Sequence, residues 1–317
     1  MSLNRVDRVR GALYGLLVGD ALGVPYEFNP PHRLPPPHEI DMTPPAGFAR
    51  SHARVPPGTW SDDGAQALAL LDSLLTCGRL NLDDFAQRLV AWYRNGRYAV
   101  GGDVFDVGIQ TRAAIERLES GVPTHEAGGA HEGENGNGSL MRVAPLALWH
   151  TGSDEQLVAD AHAQSLPTHR HPRSQVACAL LCLVLRELLD GAANPDDAVS
   201  NAKAKLERCY AAQPSHAQEL NIICNAVHRS APTGTGYVVD TFWSALYAAR
   251  RATFADAVRA AVALGHDTDT TACVAGAVAG AMRGYHAIPA AWLDALRGRD
   301  VVDELVGRLS LGPGSRA

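Results

Sequence analysis

Apolar residues in this chain recur at intervals of three and four, and the period-2 alternation that marks half-buried strands is almost absent. That spacing predicts an all-α protein. Helices are expected over 8–22, 61–77, 82–93, 106–119, 138–149, 153–165, 172–189, 195–210, 215–228, 239–249, 253–264, 268–284 and 290–297. The extended segment 234–239 is too short to build a sheet. Aromatic residues make up only 6% of the chain, so the core must be assembled mainly from Ala, Leu and Val, which favours closely packed helices. The first helix carries Gly11, Gly15 and Gly19 at a spacing of four. Glycine in a helix costs about 1 kcal/mol relative to Ala, a loss that close backbone-to-backbone packing can offset.

The connections are short and no Ser/Gly-rich or charged linker divides the sequence, so one domain over 1–317 is expected. The exception is the proline-dense stretch 23–58, too long for a plain connector and expected to be a surface or active-site loop. A net charge of −6 argues against bulk nucleic-acid binding through phosphate neutralisation. It leaves room for an anionic ligand met by a bound cation or by helix N-termini. No apolar run approaches the ~20 residues of a membrane span, and the N-terminal stretch lacks the apolar region of an export signal. The six cysteines lie mostly in apolar helical stretches without a CxxC pair, as expected of reduced thiols in a cytoplasmic protein.

Two short acidic clusters carry most of the chemical information. Ser61, Asp62 and Asp63 open one helix, and Asp267, Thr268, Asp269, Thr270 and Thr271 open another. Helix capping explains one oxygen side chain at each start, but not runs of three and five. Crowded carboxylates and hydroxyls repel one another unless a cation neutralises them, and oxygen-only sets suit hard ions such as Mg²⁺ or Mn²⁺. The pair of clusters therefore suggests a two-metal centre.

Three further segments are candidates. Glu27 follows the first helix among apolar residues, where a carboxylate is salt-bridged, supports a metal ligand, or serves as a tuned acid or base. Asp20 is expected to bond backbone or hydroxyl groups near its own helix end. Gly136, Asn137, Gly138 and Ser139 form a glycine-flanked turn before a helix, which reads either as a plain turn or as a phosphate nest. His169 precedes a Pro-started helix and could contact substrate, whereas His171 lacks the neighbouring Cys/His cluster a soft-metal ligand would need.

Taken together, GALYGLLVGDALGVPYEF (11–28), GTWSDDGAQAL (58–68), FDVGIQT (105–111), GNGSLMRVAPLAL (136–148), THRHP (168–172) and GHDTDTTACVAGAVAGAMRG (265–284) resemble the ADP-ribosylglycohydrolase family, in the family's order. The resemblance implies a compact all-α orthogonal bundle with a dinuclear Mg²⁺ or Mn²⁺ centre in a cleft. It assigns Ser61, Asp62, Asp63, Asp267, Asp269 and Thr270 to the metals, and Glu27 with Asp267 to catalysis. It gives Asp106 to the leaving group, and Gly136, Asn137, Gly138, Ser139 and His169 to the rest of the substrate. Ser61 stands where the family has Thr and keeps the hydroxyl; His266, often Gly, and Trp60 could reshape the cleft. The implied reaction is hydrolysis of the bond linking ADP-ribose to a modified group, with arginine first in line. The alternatives are a serine- or other oxygen-linked ADP-ribose, O-acetyl-ADP-ribose, or a non-catalytic member that binds ADP-ribose or metal. The implied partner is an ADP-ribosylated protein or a small ADP-ribose conjugate, and a monomer is the expectation.

Overall fold

The computed structural model describes residues 3–310. Its first helix, α1 (Arg5–Gly23), is capped by Asn4, whose side chain accepts from Asp7 N. The proline-dense stretch contains no α-helix, only short 3₁₀ turns at Val24–Tyr26, Pro31–Arg33 and Pro37–Glu39. The chain continues through α2 (Asp62–Cys77), α3 (Leu82–Asn95), α4 (Ile109–Glu119), α5 (Ala144–Trp149), α6 (Asp154–Ser165) and α7 (Pro172–Leu189). Then come α8 (Pro195–Cys209), α9 (Pro214–Cys224), α10 (Val238–Ala249), α11 (Phe254–Val262), α12 (Thr268–Arg283), α13 (Ala290–Ala295) and α14 (Arg299–Ser310). Among the described residues there is no strand, only the isolated bridges Gly129 to His169 and Gly136 to Tyr237. The all-α expectation holds.

Four helices make the interior. Residues 11–23 of α1, 62–74 of α2, nearly all of α7 and residues 268–281 of α12 are buried on every face. Outer helices such as α3, α8 and α11 bury one apolar face against them and leave a charged face in water. No helix among the described residues is long and apolar enough to cross a membrane. All six cysteines are free thiols.

The glycines of α1 find their partners in α12, which runs antiparallel to it. Gly11 faces Gly280, Gly15 faces Gly276, Gly19 faces Ala272 and Gly23 faces Asp269. A Cβ on Gly11 would lie 2.5 Å from the Gly280 carbonyl oxygen, and one on Gly15 or Gly276 would overlap the opposing backbone outright. The missing side chains let the two helices touch through their main chains. The same register brings the C-terminus of α1 to the N-terminus of α12, where Thr268 Oγ1 donates to Gly23 O at 2.8 Å.

Several boundaries differ from expectation. The helix anticipated from 106 starts at Ile109, because Asp106 has a left-handed backbone (φ +56°) and cannot join it. Residues 138–143 form tight turns rather than helix, and α-geometry begins only at Ala144. The helix expected to reach 228 stops at Cys224, followed by a 3₁₀ turn. Helix α14 lies beyond the last of the expected helices and buries Val302, Leu305 and Val306 against the core.

Because the atoms opposing Gly276 are backbone and cannot swing away, Gly276→Ala is expected to overpack the contact by about 3 kcal/mol. Its helix-propensity gain of about 1 kcal/mol offsets only part of that. A net loss of about 2 kcal/mol would lower the thermal midpoint by roughly 3 °C for a chain of this length, read by circular dichroism. A midpoint equal to or above wild type would show that the helices are not in main-chain contact.

Candidate active site

The N-terminus of α2 is built around Asp20, which does not bond locally as expected. Its carboxylate reaches out of α1 and accepts from Ser61 N at 2.9 Å and Gly64 N at 2.8 Å. These are among the main-chain donors that every helix start leaves unpaired. With Asp20 holding that turn, and Ser61 Oγ accepting from Asp63 N, Asp62 and Asp63 turn to the cleft. Gln66, one turn on, donates to Asp62 Oδ2 at 3.0 Å, and the wholly buried Arg142 donates to Gln66 Oε1 at 2.8 Å. Trp60 faces away from the cleft: it is buried, donates to Tyr98 O and packs on Gly64 and Gly298.

The second cluster meets the first. Thr270 Oγ1 donates to Asp63 Oδ1 at 3.3 Å, joining residues 207 positions apart. Carboxylate oxygens of Glu27, Asp267 and Asp269 lie within 4.8 Å of one another, a grouping able to hold a cation. Asp269 is fully buried with neither carboxylate oxygen hydrogen-bonded, and Asp63 Oδ2 is likewise unpartnered. Buried oxygens without donors are rare and costly. Here they are anionic, oxygen-only and convergent, the donor set a hard divalent ion requires.

The electrostatics agree. Burial, then repulsion from Asp106 and Asp267, pushes the Glu27 carboxyl up to about 11. Burial followed by neighbouring carboxylates also holds Asp62, Asp63 and Asp269 well above the usual range. Asp267 is raised by burial against the opposing hydrogen bond from Asn137, and Asp20 rises to about 7 despite its two backbone donors. Burial and mutual repulsion thus favour the neutral forms of these groups, and a cation among them favours the charged ones.

A third wall comes from the glycine-flanked turn. Asn137 donates from Nδ2 to Asp267 Oδ2 at 2.7 Å and to Thr241 Oγ1 at 3.0 Å. Two of the turn's N–H groups are already engaged: Gly136 N by Gln110 Oε1 and Asn137 N by Gly236 O. Ser139 is wholly buried, its hydroxyl 2.8 Å from Ser165 Oγ, so its side chain supports the loop from beneath rather than facing the cleft. His169 packs against Gly138 and Gly136, with Nδ1 2.8 Å from Thr168 Oγ1. Burial and the Arg142 charge hold its imidazole neutral, down to about 3. His171 caps α7 instead, accepting from Arg173 N.

Two contributors escaped the sequence analysis. Asp240, fully buried, accepts from the N–H and hydroxyl groups of Thr233 and Thr235, which hold its pKa low against burial. It thereby shapes the loop whose carbonyls, Gly234 O and Gly236 O, receive Asp267 N and Asn137 N. In sequence it looks like an ordinary first-turn acid. The other is His52, from the proline-dense loop, with Nε2 2.7 Å from Glu27 Oε2 and 3.8 Å from Asp106 Oδ1. Ser51 fastens that loop by donating its N–H to Pro25 O and its hydroxyl to Glu27 O. The loop thus lines the site, as one of the two expectations had it. His266 is exposed and exchanges main-chain bonds with Phe28 N and Asn29 O, so it shapes the entry through its backbone.

Of the expected residues, Glu27, Asp267 and Asp269 converge, and Thr270 joins Asp63 to them. A family model described as ADP-ribosylglycohydrolase matches residues 1–316. The ADP-ribosylarginine hydrolase Tri1 of Serratia proteamaculans (strain 568) is 33% identical over 311 residues, covering 96% of this chain and 79% of its own. The ADP-ribosyl-[dinitrogen reductase] glycohydrolase of Rhodospirillum rubrum is 32% identical, with 92% and 90% covered. A solved structure described as an ADP-ribosylglycohydrolase-related protein complex superposes with a TM-score of 0.78 at 35% identity, covering 96% of this chain and 98% of that one. On this evidence the chain belongs to the ADP-ribosylglycohydrolase family.

Proposed function

We propose that the protein hydrolyses the N-glycosidic bond between C1″ of ADP-ribose and an arginine guanidinium nitrogen, with two Mg²⁺ or Mn²⁺ ions held by Ser61, Asp62, Asp63, Asp267, Asp269 and Thr270. The observation that carries the metal reading is Asp269, buried with both oxygens unpartnered opposite an equally unpartnered Asp63 Oδ2. The arginine reading rests on relatives named for ADP-ribosylarginine and ADP-ribosyl-[dinitrogen reductase]. The substrate is an ADP-ribosylated protein or a smaller conjugate, and the six free thiols fit a cytoplasmic setting.

When bound, the ions supply Lewis acidity and a grip on ribose hydroxyls. The chain's own residues do the rest. Asn137 fixes the Asp267 carboxylate by a hydrogen bond at 2.7 Å, so that its charge faces the ribose as positive charge grows on the ring. Glu27, buried beside His52 and the carboxylates of Asp267 and Asp269, takes a proton from the attacking water as the oxygen bonds to C1″. The C–N bond breaks with its electron pair going to nitrogen, so the guanidinium departs as neutral guanidine. The proton that Glu27 took from water passes to it, restoring both the arginine cation and the Glu27 carboxylate. The Gly138 and Ser139 end of the turn, backed by neutral His169, receives the pyrophosphate.

Two measurements test this. Asp269→Asn keeps the size of the side chain but removes the charge, and is expected to slow release of ADP-ribose from ADP-ribosyl-arginine by about 10²–10³-fold. Undiminished release would mean the ligand set is wrong. The second is thermal unfolding of chelator-treated protein across pH. The buried carboxyls have folded pKa values raised above their unfolded ones, so their contribution is complete below about pH 4. It is lost as pH rises from there toward the folded values, which for Glu27 lie near 11. The cation-free midpoint should therefore fall with rising pH over this range. Mg²⁺ or Mn²⁺ at a hundredfold excess over Kd should restore about 2.7 kcal/mol, roughly 4 °C for a chain of this length. A midpoint indifferent to both ions would leave the acidic clusters as helix caps only.

A further inference from the structure

The mouth of the cleft carries aromatic surface that the mechanism above does not use. Phe28 is 67% exposed, immediately after Glu27. Its ring centroid lies 5.6 Å from that of His52, which lies 5.1 Å from that of the half-buried Phe105, both pairs tilted. Beneath these rings sit two carboxylates: Glu27, bonded to the His52 edge, and Asp106, whose side chain is 20% exposed and whose Oδ1 is 3.8 Å from His52 Nε2. The backbone holds this arrangement in a conformation L residues rarely adopt, with φ of +60° at Phe28, +49° at His52 and +56° at Asp106. Exposing a phenylalanine from a strained position gains nothing for folding. Strain of this kind collects where ligands are clamped.

We infer that Phe28, His52 and Phe105 form an aromatic collar that, with Asp106, takes the guanidinium of the modified arginine and selects it over hydroxyl-linked leaving groups. The inference rests on the arginine reading and deepens it. A guanidinium is planar, weakly hydrated and permanently charged, so it stacks on ring faces while its N–H groups reach a carboxylate. A serine oxygen leaving group is neutral and gains from neither. The collar is joined through His52 to Glu27, which converges with Asp267 and Asp269.

The test uses the full chain with Mg²⁺ bound, comparing wild type with Phe28→Ala and Phe28→Trp. Phe28→Ala should raise KM for ADP-ribosyl-arginine about tenfold and leave kcat within about twofold, as expected for loss of one cation–π face. Phe28→Trp should restore KM. The Kd of ADP-ribose by calorimetry should not change in either variant, because ADP-ribose has no guanidinium. An unchanged KM, or a parallel weakening of ADP-ribose that would give the collar to the adenosine end, overturns the inference. Agmatine binding, which needs no turnover, separates the two readings. If wild type fails to cleave ADP-ribosyl-arginine, the proposed function falls; the collar stands only if agmatine still binds wild type more tightly than Phe28→Ala, and equal binding overturns it.

Discussion

Main-chain contact between α1 and α12 is the constraint on which the site depends. Side chains at Gly11, Gly15, Gly19, Gly276 or Gly280 would hold the two helices apart. Their antiparallel register then sets Gly23 against Asp269, and the residues just beyond each helix end, Glu27 and Asp267, converge. Helix dipoles favour one half of this arrangement and oppose the other. Asp269 lies in the first turn of α12, where negative charge is welcome, whereas Asp20 lies in the last turn of α1, where it is not. Asp20 escapes that conflict by crossing to the N-terminus of α2. One unfavourable carboxylate thus ties α1 to the helix that carries Asp62 and Asp63.

Burial alone does not explain the strained charges of the cleft. Asp240 is as inaccessible as Asp269, yet its carboxyl is held low and that of Asp269 high. The difference is donors and neighbours: Asp240 receives N–H and O–H groups from Thr233 and Thr235, while Asp269 receives none and faces the carboxylates of Glu27, Asp106, Asp63 and Asp267. The same fold therefore satisfies a buried carboxylate fully where it serves as scaffold and leaves another bare a short distance away. A core selected for stability alone would not keep several bare carboxylates together. Arg142, buried and bonded to Gln66 and Gln164, is linked by hydrogen bonds to Asp62 through Gln66. The positive charge is set one residue back from the cleft, which leaves the carboxylate oxygens facing inward free for a cation.

What was legible in the sequence was local. The acidic clusters announce themselves because their members are contiguous and sit at helix starts, and the bounds of α2, α7 and α12 follow from periodicity, capping residues and flanking glycine. Gly11, Gly15 and Gly19 signalled a close approach, but nothing local named α12 as the partner. His52 could not be read, since it lies in an irregular loop and acquires meaning only where Ser51 pins that loop to Pro25 and Glu27. Asp240 failed for the opposite reason, being in an unremarkable place with its role set by a loop several residues before it. The apolar spacing of 106–119 reads as one helix that includes Asp106. The left-handed backbone of Asp106, which keeps it out of α4, has no signature in the local sequence.

The rim of the cleft shows how such backbone strain is held. Four of the five non-glycine residues with positive φ among those described, Phe28, His52, Asp106 and His266, surround Glu27 and Asp267. Each costs on the order of 1–2 kcal/mol relative to an ordinary conformation. They are not independent loops that could relax separately. Phe28 N donates to His266 O at 2.6 Å and His266 N to Asn29 O at 2.7 Å, so two main-chain hydrogen bonds join the segment after α1 to the segment before α12. Relaxing Phe28 would break a bond to His266, which would in turn release the turn that presents Asp267. The glycine contact below and this main-chain pairing above act on the same two segments from opposite ends. Glu27 and Asp267 are therefore fixed before any ligand arrives, and little reorganisation remains for substrate binding to drive.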